Sequence, residues 1–195
     1  MRLSRIGTSV RAALLVTAAL LASGCYRGAA RPTTSASLSA DRGWVALAGV
    51  PQVLQGGEHD CGPAAAAMLL GYWGLPTGQD AVRAASAVPP DQSLSAGFLR
   101  SYLRSRGLKA FLIEGTLLDL ERELSAGRPV LVGILKPYTS GSYAHYLVVI
   151  GFNRAAEEIA VIDPAGGLRD YSFAGFNQEW SGARSLTLVA TLPGR

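Results

Sequence analysis

The sequence predicts an α+β domain in which several helices precede a mainly antiparallel sheet. Three observations lead to this fold class. Apolar residues recur at helical spacing before Gly127, β-branched runs dominate after it, and the connections between those runs are short. Short connections make antiparallel hairpins, because parallel strands need long crossovers. Helices and strands that are segregated along the chain in this way are typical of the α+β class.

Residues 1–24 resemble the signal peptide of a bacterial lipoprotein. Three arginines give a charged start, and residues 12–22 form an apolar run shorter than the ~20 residues that span a bilayer. The segment closes on LASGC, which resembles a lipobox. We therefore expect cleavage before Cys25 and a lipid on the Cys25 thiol. The alternative is an ordinary export signal whose cleavage site happens to contain a cysteine.

The 25–43 segment is small, polar and without periodicity, which predicts a flexible tether between the lipid and a folded domain over residues 44–195. The chain is then exported and anchored in the cell envelope, with the membrane as one partner. In a cell with two membranes, Tyr26 after the lipidated cysteine indicates the periplasmic face of the outer membrane.

A Gly-rich loop meets a helix at Cys61. We expect the Asp60 carboxylate to cap this helix, which continues to Gly71 or Gly74. Its run AAAAMLL leaves no polar face, so the helix is predicted to be buried. Cys61 then lies at the positive end of the helix dipole, which favours a reactive thiolate. The alternative is a structural cysteine, since free cysteines are often buried.

Further helices and strands follow from periodicity and from capping residues. The helices are expected over residues 78–86, from Ser93 or Ser95 to Gly107, and over 116–127. The strands are expected over residues 108–113, 129–135, 144–152, 158–162, 168–173 and 185–192.

A thiolate nucleophile needs a base, a group that orients the base, and donors for the oxyanion. The base is His145, at the start of a strand, or His59, in the loop before Cys61. Asp163 ends the next strand, and an antiparallel pairing returns it beside His145. The Gln55 amide, six residues before Cys61, is a candidate oxyanion donor. Trp73, Tyr143 and Tyr146 are further candidates, for the substrate groove.

Three motifs, DCGPAAAAM, AHYLVVIG and VIDPAGG, occur in the order found in bacteriocin-processing cysteine peptidases. The sequence resembles this family over about residues 50–192. The resemblance implies a papain-like fold that cuts peptides after a double-glycine leader, without a cofactor. It also implies Cys61 as nucleophile, His145 as base, Asp163 as orienting group and Gln55 as oxyanion donor.

The resemblance leaves the substrate and the partner open. Well-known members are fused to a transporter and act in the cytosol, whereas this chain is expected to be exported and has no G-K-[ST] loop. We therefore expect a peptide or protein substrate, and a separate secretion system or ABC transporter as a potential partner. Two alternatives stay open: a catalytically silent peptide-binding module, and amide hydrolysis or acyl transfer by the same residues.

Composition argues against nucleic-acid binding and against a structural metal. The chain has 18 basic and 14 acidic residues, but three of the bases precede Cys25. The remainder is nearly balanced, so there is no basic surface to expect. The two cysteines and two histidines do not have the spacing of a zinc site.

Overall fold

The computed structural model describes residues 25–194 and combines helices with an antiparallel sheet. The helices of this part of the chain are α1 (Cys61–Tyr72), α2 (Gln79–Ala84), α3 (Ala96–Ser105), α4 (Leu117–Ser125) and α5 (Phe173–Gly182). The strands are β1 (Arg31–Pro32), β2 (Val45–Ala46), β3 (Lys109–Glu114), β4 (Val130–Tyr138), β5 (Gly141–Asn153), β6 (Glu158–Asp163), β7 (Gly167–Ser172) and β8 (Leu186–Thr191). The α+β prediction is confirmed. The expected signal peptide, residues 1–24, lies outside the described residues.

One sheet runs through the domain in the order β1-β7-β6-β5-β4-β8-β3, with β2 added to β5. Every pairing is antiparallel, as the short connections predicted. A two-residue turn, Thr139 and Ser140, joins β4 to β5. Since Val148 pairs with Ile162, the end of β6 returns beside the first half of β5.

Two apolar cores lie against the sheet, and alternate residues of β4 and β5 belong to different cores. The first core joins the central strands to helices α1 and α3 through Ala65, Met68, Leu69, Leu99, Leu103, Leu131 and Val148. The second core joins them to helices α4 and α5 through Leu120, Leu124, Val130, Val132, Leu147, Val149, Phe176 and Trp180. The sheet is therefore a fixed platform for the residues at its ends.

Helix α1 is buried on all sides from Cys61 to Leu70, as its sequence predicted. Its four consecutive alanines have small side chains, so the helix axis can approach the sheet closely. The helix ends at Tyr72, between the two predicted end points. Cys61 is its first residue.

The prediction that the Asp60 carboxylate caps α1 is wrong. Asp60 occupies the position before the helix, but its side chain accepts no hydrogen bond from the first turn. Its carboxylate binds the Arg83 guanidinium, with Nε to Oδ1 at 2.9 Å. Arg83 also donates to the carbonyls of His59 and Gln92. The charge-assisted pair replaces the cap and holds the loop that leads to Cys61.

Helix α5 and the docking of residues 25–43 have no counterpart in the sequence predictions. Instead of a flexible tether, the structure shows residues 25–32 lying along the domain, with β1 paired to β7. We call residues 25–32 the N-terminal arm. Most of its contacts join backbone groups to residues more than a hundred positions away, which periodicity does not reveal. Within residues 25–194, no helix combines the length and apolar character needed to cross a membrane.

Arg83→Met should lower the free energy of unfolding by about 1.5–3 kcal/mol, because it removes charge-assisted hydrogen bonds and leaves Asp60 without its ion pair. The matched control is Arg122→Met. Arg122 is mostly exposed, and its contact with Asp119 is 3.9 Å long, so its loss should change stability by less than ~0.5 kcal/mol. Urea unfolding measures both. Equal effects would show that the Arg83 contacts do not stabilise the loop.

Candidate active site

Cys61 lies at the N-terminus of α1 and is 3% exposed. Gly62 allows the helix to approach β5, because a Cβ at this position would lie 3.3 Å from the Tyr146 ring and from Leu99. Tyr146 itself is fixed by its hydroxyl, which donates to the Leu94 carbonyl at 3.2 Å. The start of the helix and the start of β5 are thus packed directly against each other.

His145 links the helix to the sheet. Its imidazole lies close enough to the Cys61 thiol for each group to shift the pKa of the other. Its Nε2 lies 2.7 Å from Asp163 Oδ1, so Nδ1 is the ring nitrogen left for the sulfur. His145 is on β5 and Asp163 ends β6, as the antiparallel topology predicted. The structure therefore brings three of the four candidate catalytic residues into one chain of contacts.

The Asp163 carboxylate is 2% exposed and has a partner on each oxygen. Oδ1 accepts from His145 and also from the Ala165 N–H at 2.8 Å. Oδ2 accepts from Lys136 Nζ at 2.7 Å. A carboxylate held in this way has little freedom to rotate, so the imidazole it contacts is fixed in orientation.

The charges of the site favour a thiolate next to an imidazolium. Burial acts to raise the pKa of Cys61, but the hydrogen bond and charge of His145 and the N–H groups of Tyr146 and Gly62 lower that pKa below its usual value. Burial acts to lower the pKa of His145, and its bonds to Asp163 and Cys61 raise it overall. The two pKa values therefore move towards each other, which stabilises the thiolate–imidazolium pair relative to two isolated groups.

The charge on Asp163 supports this state. Burial acts to raise the pKa of this carboxyl, but His145, and after it Lys136, hold it well below its usual range. Burial and then the Cys61 charge raise the pKa of Tyr146 to about 12. The Tyr146 phenol therefore stays neutral beside the thiolate and adds no competing charge.

Lys136 is the site residue that sequence reasoning missed. It is 8% exposed on β4, and its ammonium lies 2.7 Å from Asp163 Oδ2 and 5.3 Å from the centre of the Tyr26 ring. A signal was present in the sequence, because Lys136 follows the apolar run VLVGIL of a predicted strand. Buried lysines are rare without a partner, so this position indicated an acid nearby. Lys136 acts through Asp163, as a positioning residue.

Gln55 reaches the site from the loop before α1. Its N–H donates to the Pro164 carbonyl at 2.8 Å, which ties the loop to the turn after Asp163. Its side-chain Nε2 lies 2.8 Å from the Gly57 carbonyl and 3.3 Å from that of Glu58. Both amide N–H groups are thus used within the loop. To donate to an oxyanion, Gln55 has to release the longer of these bonds.

A cavity of about 420 Å³ opens beside His145, and we call it the His145 cavity. Its wall includes Gln55, His59, Lys136, Tyr138, Tyr143 and His145. The alternative base, His59, is in this wall with Nδ1 3.3 Å from Ser93 Oγ, whereas the imidazole bonded to Cys61 is that of His145.

Two of the three groove candidates lie elsewhere in the structure. Tyr143 lines the His145 cavity. Tyr146 packs against Gly62, on the sheet side of Cys61. Trp73 is in the first apolar core, with its indole N–H on the Ala190 carbonyl, because it follows a helix that is buried on all sides. The closeness of Trp73 to Cys61 in the sequence therefore did not predict a position in the substrate groove.

The fold and this arrangement of thiol, imidazole and carboxylate define a papain-like cysteine peptidase fold. The profile of the Peptidase C39 family matches residues 49–190. The protein belongs to this family. None of the curated proteins matches the sequence.

Solved structures of peptidase domains share this fold. The peptidase domain of Streptococcus ComA, described as a bifunctional ABC transporter of a quorum-sensing pathway, is similar with a TM-score of 0.61 and 21% identity, covering 73% of this chain and 98% of that one. A putative C39-like peptidase from Bacillus anthracis has a TM-score of 0.59 and 16% identity, covering 78% and 99%. A double-glycine-motif protease from an AMS/PCAT transporter, solved with its leader peptide, has a TM-score of 0.57 and 22% identity, covering 74% and 93%. At these identities, the likeness concerns the fold.

Alkylation of Cys61 by iodoacetamide should have a pH midpoint below the ~8.5 of an ordinary thiol, because the pKa of Cys61 is lowered. His145→Gln removes the contribution of His145 and leaves burial opposed by the N–H groups of Tyr146 and Gly62, so the midpoint should move above that of the wild type. His59→Gln is the matched imidazole control and should keep the wild-type midpoint. Site-resolved mass spectrometry separates Cys61 from Cys25. The same midpoint in all three proteins would contradict the His145 contact.

Lys136→Met should raise the same midpoint and lower stability by roughly 3 kcal/mol, because it leaves one Asp163 oxygen unpaired, so that the carboxylate holds the His145 imidazole less firmly beside the thiol. Lys136→Arg retains the charge and should restore the midpoint at least in part. Lys109, the other lysine of the chain, is exposed on β3, so Lys109→Met should behave as wild type. A Lys136→Met protein that is less stable but has an unchanged midpoint would reduce Lys136 to a structural role.

Proposed function

We propose that the protein is a cysteine peptidase of the cell envelope, which cuts peptide or protein substrates with Cys61, His145 and Asp163. The observation that carries the proposal is the unbroken chain of contacts from a buried thiol through an imidazole to a carboxylate paired on both oxygens. A structural cysteine needs neither an imidazole partner nor a buried carboxylate behind it. Membership of a peptidase family supports the same reaction class.

The reaction uses the thiolate–imidazolium form of the Cys61–His145 pair. The Cys61 thiolate attacks the substrate carbonyl carbon, and the carbonyl electrons move to oxygen. The Cys61 N–H at the start of α1, with an N–H of Gln55 released from the loop, stabilises that oxyanion. His145 gives its proton to the leaving amine, and a thioester forms. His145 then takes a proton from water, the hydroxide attacks the thioester, and the acid product leaves as the thiol is restored.

The proposed substrates are peptides with an extended segment, including leader peptides of the double-glycine type. The fold is shared with a protease solved with its leader peptide and with a domain of an ABC transporter. A secretion system or ABC transporter that delivers the peptide is the partner proposed with this substrate. The His145 cavity, with tyrosines and both polar and charged side chains in its wall, suits a peptide with mixed side chains.

The proposed location is the envelope, with a lipid on Cys25. The lipobox-like sequence before Cys25 supports it, as does the exposure of Cys25. Intact-mass analysis of the protein purified from membranes tests it. We expect the mass of a chain that starts at Cys25 and carries a diacylglyceryl group. A chain with an unmodified Cys25 would exclude the anchor.

The position of Gln55 supports a second candidate function, that of a catalytically silent domain that binds a peptide. Both N–H groups of the Gln55 amide are bonded within the loop, so the oxyanion donor is closed in this state. A silent domain predicts peptide binding that Cys61→Ala leaves unchanged and no turnover by either protein. Acyl transfer to an amine uses the same residues, so only its products distinguish it.

A quenched-fluorescence peptide library should be cut by the wild-type protein and not by Cys61→Ala, because the nucleophile is absent in the variant. Asp163→Asn should retain binding but lose a factor of about 10²–10⁴ in turnover, since the orientation and charge of His145 are no longer supported. Mass spectra of the products, taken with and without an added amine, show whether water or the amine accepts the acyl group. Equal turnover by wild type and Cys61→Ala would remove the proposal.

A further inference from the structure

The N-terminal arm is fastened to the domain at several points. Tyr26 Oη donates to Glu179 Oε1 at 2.7 Å, and the Ala29 N–H donates to the same oxygen at 3.0 Å. The Arg27 N–H donates to the Pro137 carbonyl at 2.9 Å. Strand β1 then extends the sheet beside β7. With this many partners, the arm has a fixed place on the domain.

The arm starts at the turn of the β4–β5 hairpin. The Thr139 N–H donates to the Cys25 carbonyl at 3.1 Å, and Tyr26 forms an antiparallel bridge with Tyr138. The Tyr138 ring is 5.6 Å from the ring of Tyr26 and 5.6 Å from that of Tyr143. Tyr138 and Tyr143 also line the His145 cavity. Cys25, the hairpin turn and one wall of the cavity therefore lie at the same end of the molecule.

The length of strand β5 gives the distance between the hairpin-turn end of the molecule and the opposite end. At about 3.4 Å per residue, His145 is roughly 14 Å along the strand from Gly141, and Asn153 is roughly 40 Å from it. The β5–β6 turn, with the exposed Ala155, follows Asn153 at the far end. Ala155 is therefore a natural reference position for the hairpin turn.

We propose that the bilayer surface is the partner of this end, so that the hairpin turn and the mouth of the His145 cavity rest at the lipid headgroups. The inference relies on the proposed lipid at Cys25, and it adds an orientation. A docked arm leaves no spacer between the lipid and the hairpin, so the lipid draws this end against the membrane.

The chemistry of this end suits such a surface. Tyr143 is 49% exposed at this end, and amphipathic tyrosine rings are enriched at membrane interfaces. Residues 25–32 and 136–144 contain no acid. Of their three basic residues, Arg31 pairs with Glu158 and Asp170 and Lys136 pairs with Asp163. The exposed Arg27 is therefore the cation that is left for anionic headgroups. Among the described residues of the cavity wall, Glu58 is the one acid, and it comes from the loop before α1.

The orientation selects a class of substrate. A peptide that emerges from the bilayer, or is attached to it, can reach His145 within roughly 14 Å of the hairpin turn. Confinement to the same surface raises its effective concentration at the cavity. A peptide free in solution has neither advantage. The proposed substrate is therefore a membrane-held peptide segment.

The test is a quenching measurement on the lipid-bearing protein in a Cys61→Ala background, in which the introduced cysteine is the free thiol. A fluorophore is placed on Ser140→Cys in the hairpin turn or on Ala155→Cys at the far end. The proteins are reconstituted in vesicles of phosphatidylcholine and phosphatidylglycerol that carry a headgroup nitroxide. We expect the Ser140 probe to lose more than half of its emission and the Ala155 probe to change little.

Equal quenching of the two probes, or none at either position, would overturn the proposal, because a domain on a free tether has no preferred end. Tyr26→Ala removes the contacts with Glu179 and Tyr138. In this variant, the quenching of the Ser140 probe should decrease towards the low quenching of the Ala155 probe.

The same samples separate this inference from the function it relies on. The measurement does not depend on catalysis, so loss of the peptidase proposal leaves it valid. Intact mass reports whether lipid is present on Cys25, and a protein without lipid would remove the anchor itself. Cleavage of the library by wild type with equal probe quenching would retain the peptidase and reject the orientation.

Discussion

The buried carboxylate of Asp163 is the constraint on which the rest of the site depends. It receives a hydrogen bond from the Ala165 backbone, contacts the His145 imidazole through the same oxygen and binds the Lys136 ammonium through the other. An isolated buried carboxylate is strongly disfavoured, and these partners together stabilise its charged form. With that charge in place, His145 holds a proton at a pH at which a free imidazole is mostly neutral. The Cys61 thiolate in turn depends on that proton.

The fold provides this arrangement through three neighbouring strands and one helix. Lys136, His145 and Asp163 lie on β4, β5 and β6, which are consecutive in the sheet. Helix α1 supplies the thiol, with Gly62 permitting the close approach. In formal charge, thiolate, imidazolium, carboxylate and ammonium balance to neutrality. A neutral set of charges is less costly to bury than an unbalanced one, which explains how the domain retains four ionisable groups in one region.

The sequence predicted those parts of this structure that depend on local pattern or on simple topology. The apolar run after Cys61 predicted a buried helix. The antiparallel pairing of the strands that carry His145 and Asp163 predicted that these two residues lie close together. The sequence missed what depends on tertiary contact. The Asp60 carboxylate binds Arg83 instead of capping α1, because a charged partner 23 residues away offers a stronger interaction. Lys136 was visible as an anomaly in a strand, but its partner was not. The arm has no periodicity, and its contacts lie across the whole chain.

The N-terminal arm lies outside the part of the chain that matches the family. The family profile begins at residue 49, so the arm precedes the shared peptidase domain. The ring of Tyr26 nevertheless lies over Lys136, which holds Asp163. Through these contacts, the segment next to the proposed anchor is in direct contact with the residues that position the imidazole. In the ComA structure, the peptidase domain belongs to a bifunctional ABC transporter. In this chain, the segment that precedes the shared domain is instead an arm that packs against the site's own supporting residues.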